Sequence, residues 1–171
     1  MRFRRKFFGI LTCIFGLSLI CPLVMPLFNL VESTGKVSNS FKMFAEFPGL
    51  DTRFKALNGQ FQPTFSKMTG IVSIIAISLY GLFLLFFMLQ LSRKGSLPYR
   101  AILKSIALTM FLVSIIAFAC SAAFIISNKI VFEGRTLLSF EYALGAWFLT
   151  CGSFVTGLCG LISQAKYRRR F

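Results

Sequence analysis

The chain contains no histidine, and it has only five acidic residues against 19 lysines and arginines. Lacking histidine, it lacks the side chain that most often moves protons near neutral pH and most often ligates metals. No Cys-x-x-Cys pair occurs. The five cysteines (Cys13, Cys21, Cys120, Cys151 and Cys159) all fall inside apolar runs. A disulfide framework in a polar external loop is thereby excluded, and the thiols read as small packing residues. There is no P-loop, no metal-binding motif and no nucleophile–base pair. Asn29, Asn39, Asn58 and Asn128 all lack a glycosylation sequon, which weakly favours a prokaryotic or unglycosylated protein. No internal repeat, linker or low-complexity tail is present. These absences lead to the expectation of a protein that is not an enzyme, with no catalytic residue, metal or cofactor.

What is abundant is apolar. The 171 residues are 56% hydrophobic and 14% charged, with 22 phenylalanines and a mean hydropathy of +0.77. A soluble domain of this size needs more surface charge. Four apolar runs stand out, at 7–28, 69–91, 105–127 and 143–163, and none contains an Asp, Glu, Lys or Arg. Each is long enough to cross a bilayer core of about 30 Å as a helix. An all-helical reading follows because unpaired backbone groups are costly in lipid. The expected fold is all-α: a single domain, 1–171, forming an antiparallel four-helix transmembrane bundle.

Charge sorts across these spans. Arg2, Arg4, Arg5 and Lys6 precede the first; Arg93, Lys94, Arg100 and Lys104 lie in or beside the 92–104 loop; Lys166, Arg168, Arg169 and Arg170 follow the last. Four crossings put all three blocks on one side, and the positive-inside rule makes that side cytoplasmic, together with both termini. The five acids (Glu32, Glu46, Asp51, Glu133 and Glu141) fall on the other side. Tyr99 and Tyr167 suit the inner aromatic belt, Tyr142 and Trp147 the outer one. The net charge of +14 thus points to an anionic inner leaflet as partner and not to nucleic acid. The expected location is a plasma or inner cell membrane. The first run is longer than a signal-peptide core and reads as an uncleaved anchor.

Two outer loops remain, 29–68 and 128–142. In the first, Phe41, Phe44 and Phe47 precede Pro48-Gly49, and Phe54, Leu57, Phe61 and Phe65 follow it. Spacings of three and four suggest an apolar helical face, with Ser40 and Asp51 as possible N-caps. Phe41, Phe44, Phe54, Leu57 and Phe61 are the candidate outer surface, as short interfacial helices or a lid. The alternative is a loop folding its rings onto its own spans. A long first outer loop, a short inner loop and a short second outer loop form a layout that resembles claudin-type four-span proteins. The Trp and two Cys of the claudin signature are missing from the first loop, so no claudin residue or activity is carried over. A four-span disulfide-forming quinone reductase would need cysteine pairs at the membrane surface.

Within the spans, Gly145, Gly152, Thr156 and Gly160 lie close to one stripe of the fourth run, and Ser153 and Gly157 form a parallel pair. Small residues permit close helix approach in lipid, here either within the monomer or with another protein or copy. Ser18, Tyr80, Ser114 and Ser153 place hydroxyls near mid-membrane, as a polar site or as interhelical glue. Pro22 and Pro26 bend or end the first span. Ionisable groups, which pumps keep in the membrane, are absent from the span centres. The expected function is a structural or accessory subunit of a membrane assembly. Other classes are a small transporter or channel component, an immunity protein against a membrane-active toxin, and a lipid-acting enzyme using Glu46, Asp51, Arg53 and Lys55.

Overall fold

The computed structural model describes residues 2–42, 49–57, 60–92, 97–132 and 135–165. Four helical stretches are long and apolar enough to cross a membrane: Lys6–Val24, Thr64–Leu91, Tyr99–Ser127 and Leu144–Gln164. They belong to α1 (Arg2–Gly16) with α2 (Cys21–Val24), α4 (Thr64–Ser92), α5 (Leu97–Ser127) and α6 (Leu144–Gln164). Helix α6 packs against both α5 and α1, and α4 packs against α5.

The first span is not one continuous α-helix. A 3-10 turn, Leu17–Ile20, separates α1 from α2. Pro22 explains it: in a continuous α-helix its ring would clash with the carbonyl of Ser18, four residues back. The tightened turn sends that carbonyl to the Cys21 N–H instead. Met25, ahead of Pro26, is extended, as the residue before proline prefers, and the helix stops there.

The purely helical expectation is corrected by a four-stranded antiparallel sheet at one end of the bundle, in the order β2-β1-β4-β3. Strands β1 (Phe28–Glu32) and β2 (Val37–Phe41) come from the first connecting segment, and β3 (Ile130–Phe132) and β4 (Arg135–Tyr142) form the second. Gly35, at φ +73°, closes the β1–β2 hairpin; a left-handed residue at the end of a three-residue loop suits glycine. A short helix, α3 (Leu50–Ala56), follows, with left-handed Gly49 as its N-cap. Asp51 therefore lies in the first turn of α3, and Ser40 lies in β2, so neither is a cap. Helical periodicity misled here because the rings of this segment converge from a strand, a helix and a loop onto one core.

Candidate functional site

The sheet end is a small cap with its own aromatic core. Register places Phe28 beside Tyr142, Leu30 beside Phe140 and Glu32 beside Leu138 on one face. That face is closed by α3, by Phe61 and by Phe124 at the end of α5. Ring centroids lie 4.5 Å apart for Phe28–Phe124, 4.7 Å for Phe124–Phe140 and 5.2 Å for Phe54–Phe61. Asn128, fully buried, holds the approach to α4: its Nδ2 donates to the carbonyls of Phe124 and Gln62 at 2.9 and 3.0 Å, and its Oδ1 accepts from the Gln62 N–H at 2.7 Å. An exposed Arg53–Glu32 ion pair at 3.7 Å also joins α3 to the sheet, a contact of at most about 1 kcal/mol.

The sequence-chosen outer surface is therefore corrected in part. Phe41 and Phe54 are 8% and 1% exposed, and Phe61 packs against the same core. Of the chosen residues Leu57 is exposed, while Phe44 lies outside the described residues. The rings turn inward because the alternation of β1 and β4 offers them an apolar face to cover. The opposite face of the sheet is mixed: half-buried Asn29 pairs with exposed Glu141, buried Val31 pairs with Ser139, and the Ser40 hydroxyl donates to Asn29 Oδ1 at 2.8 Å. Beyond it, β2 forms an edge of the sheet, with Val37, Ser38, Asn39 and Ser40 all exposed.

The cap is fastened to the bundle by backbone. The N–H groups of Ala143 and Gly145 donate to the carbonyls of Leu27 and Pro26 at 3.0 and 2.9 Å, answering donors that a helix start otherwise leaves open. A Cβ on Gly145 would stand 2.6 Å from the Pro26 carbonyl oxygen, so glycine is required by the close approach. Tyr142 stacks on Phe118 with centroids 6.2 Å apart and lies 5.3 Å from the half-exposed Trp147 ring. Partial burial pushes the Tyr142 phenol above its ordinary pKa, and its hydroxyl donates to the Phe118 carbonyl at 3.4 Å.

In the helical stem the stripe of α6 faces the chain's own helices. A Cβ on Gly152 would collide with the Ser18 hydroxyl, one on Gly160 would stand 2.8 Å from Ala107 Cβ, and one on Gly157 would stand 2.7 Å from the Phe111 nitrogen. Thr156 is fully buried and donates to the Gly152 carbonyl at 2.6 Å. Helix α1 meets α4 through Gly9 and Gly16, against the rings of Phe87 and Tyr80.

The mid-span hydroxyls do not share one hydrogen-bonded site. Ser18, Ser114 and Ser153 donate to carbonyls of their own helical stretch, at Phe15, Phe111 and Leu149. Tyr80 crosses between helices, donating to the Cys13 carbonyl at 2.6 Å. Among the described residues, the Ser121 hydroxyl is the one buried side-chain oxygen or nitrogen without a hydrogen bond.

The far end holds a polar lock that sequence reasoning missed. Arg100 donates through Nε and Nη2 to the Gln164 carbonyl at 3.0 and 2.9 Å, placing a cation on the carbonyl end of α6, where the helix dipole favours it. The Gln164 and Gln90 amides face each other at 3.4–3.5 Å, and Gln164 also donates to Ser163. Arg100 looked like one member of a basic block, and nothing in its spacing marked it as a cap. Comparison with protein-family models, curated proteins and solved structures finds no match for this chain.

Proposed function

We propose that this chain is a non-catalytic multi-pass membrane protein acting as a structural or accessory subunit of a membrane assembly. In this reading its four helices hold the sheet cap at the outer surface. The observation that carries it is the division of labour between cap and stem: the α6 stripe is occupied by the chain's own helices, whereas the cap presents an exposed edge strand, Val37–Ser40 of β2. Charge sorting places the cap outside and both termini in the cytoplasm of a plasma or inner membrane. There the basic blocks favour anionic lipid. The likeness to claudin-type proteins stays one of span and loop order, and no claudin activity is proposed.

The test is purification of the full chain in mild detergent after cross-linking in cells, with reporter fusions at the C-terminus and in the 93–96 loop. The expected result is a stoichiometric partner or a defined self-oligomer, cross-linked through cap residues, with both reporters cytoplasmic. A lone monomer under both conditions would overturn the assembly reading. An external C-terminus would overturn the orientation.

A further inference from the structure

We infer that the free edge of β2 is a docking strand for an extended segment of a partner protein in which about five uncharged residues are flanked by acidic ones. Strand β2 has β1 on one side and, among the described residues, no strand on the other. Its residues Val37–Ser40 are exposed, and among the described residues they make no hydrogen bonds beyond those of the hairpin and the Ser40–Asn29 contact. The Phe41 carbonyl accepts from the Leu27 N–H at 2.7 Å. Leu30 faces Asn39 but Val31 faces Val37, so Ser38 is an extra residue that bulges β2; past the bulge, with the Phe41 carbonyl turned to Leu27, alternation points the N–H and carbonyl of Ser40 to the other side. An outward row of backbone groups is a template for one more strand.

Charge chooses the occupant. Lys36 and Lys42 bracket the strand, both exposed, and neither forms an ion pair among the described residues. The residues between them, Val-Ser-Asn-Ser-Phe, carry no charge. A second copy paired antiparallel along β2 would bring Lys36 of one chain to the end where Lys42 of the other lies. In a parallel pair each lysine would face itself. Like charges brought together at the strand ends repel, so the edge discriminates against its own kind. An acidic residue at each end of the incoming segment turns both contacts favourable. The lysines thus both protect the edge and select what covers it.

This inference rests on the assembly reading and names the chemistry of the partner. Its test uses the full-length protein in nanodiscs and three kinds of fluorescent seven-residue peptide: one neutral β-forming core flanked by Glu, the same core flanked by Lys, and the Glu-flanked core N-methylated on either alternate set of amides. The Glu-flanked peptide should bind about tenfold tighter than the Lys-flanked one, less so at high salt. The double variant Lys36→Glu/Lys42→Glu should reverse that preference; both positions are exposed, so the core is untouched. Methylating one alternate set should abolish binding and the other should be tolerated, because alternate amides face opposite sides. Equal binding of the two peptides, a preference unchanged by the double variant, or indifference to both methylated sets would each overturn the docking strand. Recovery of a cellular partner alongside any of these failures would leave the assembly reading standing. Peptide binding with the predicted preference but no cellular partner would count against that reading alone.

Discussion

The cap and the stem differ in how their elements approach: both bury rings, Phe83 and Phe87 among them in the stem, but the stem's helices close over glycines. The cap is held by large rings, with Phe28, Phe54, Phe124 and Phe140 almost fully buried in one cluster. The stem brings helices together over small residues, with Gly145, Gly152, Gly157 and Gly160 of α6 each pressed against a neighbour. The solvent accounts for the difference. Outside the bilayer, removing aromatic surface from water is itself the driving force. Between lipid-bathed helices that force is absent, so close backbone approach and dispersion contacts have to supply the stabilisation. Leu85, Met88, Ile115 and Ile126 accordingly stay exposed on the helices, while in the cap Phe28, Phe41, Phe54 and Phe140 converge inward.

Phe140→Ala should have the largest effect, about 3–5 kcal/mol, and the effect should be local. Phe140 touches Phe41, Phe54, Phe61 and Phe124, so limited proteolysis should open the cap while the helices remain protected. If the helices lose protection equally, cap and stem are one cooperative unit and the comparison fails. Gly157→Ala comes next, at about 1–3 kcal/mol, because its Cβ would meet the Phe111 backbone rather than a side chain able to move. Gly81 is the matched control, since a Cβ placed there would have nothing within 4 Å; Gly81→Ala should be neutral or stabilise the helix by up to about 1 kcal/mol. Thermal denaturation in detergent separates the two, and equal shifts would refute the packing role assigned to α6.

Asn128→Ala should cost about 1–3 kcal/mol, since it leaves the Gln62 backbone groups without their partner. Hydrogen exchange should rise at 60–63 before it rises in the sheet. The smallest effects fall in mid-stem. Tyr80→Phe removes one interhelical hydrogen bond and should cost about 0.6 kcal/mol. Ser121→Ala should shift stability by less than about 0.5 kcal/mol in either direction, because its hydroxyl has no partner to lose. A large loss at Ser121 would mean that the hydroxyl serves something other than packing.

How much of this was legible varied with the signal. The helical spans were readable because a charge-free apolar run of that length suits few surroundings besides lipid. The end of the first span was less so: the run reached Phe28, and the start of β1 was hidden inside it. In β4 the alternation Leu138-Ser139-Phe140-Glu141-Tyr142 was a strand signal, overlooked because the segment between spans was short and nearly neutral. The rings of the first segment were recognisable as one apolar set, but their spacing suggested the wrong element. Tyr80 announced its need for a partner without naming Cys13, and Asn128, Gln90 and Gln164 carried no local mark at all.

The amino-acid sequence by itself determined the four spans, because a run of apolar residues dictates its own solvent. It also determined where the first span tightens, because Pro22 removes a donor wherever it sits. Only the tertiary structure decided that Phe41 and Phe54 are core rather than surface, and that the glycines of α6 are filled from within the chain. Those outcomes depend on which distant segment arrives opposite each residue. Strand β1 must lie beside β4 before the rings have a face to cover, and α5 and α1 must flank α6 before its small residues have anything to touch.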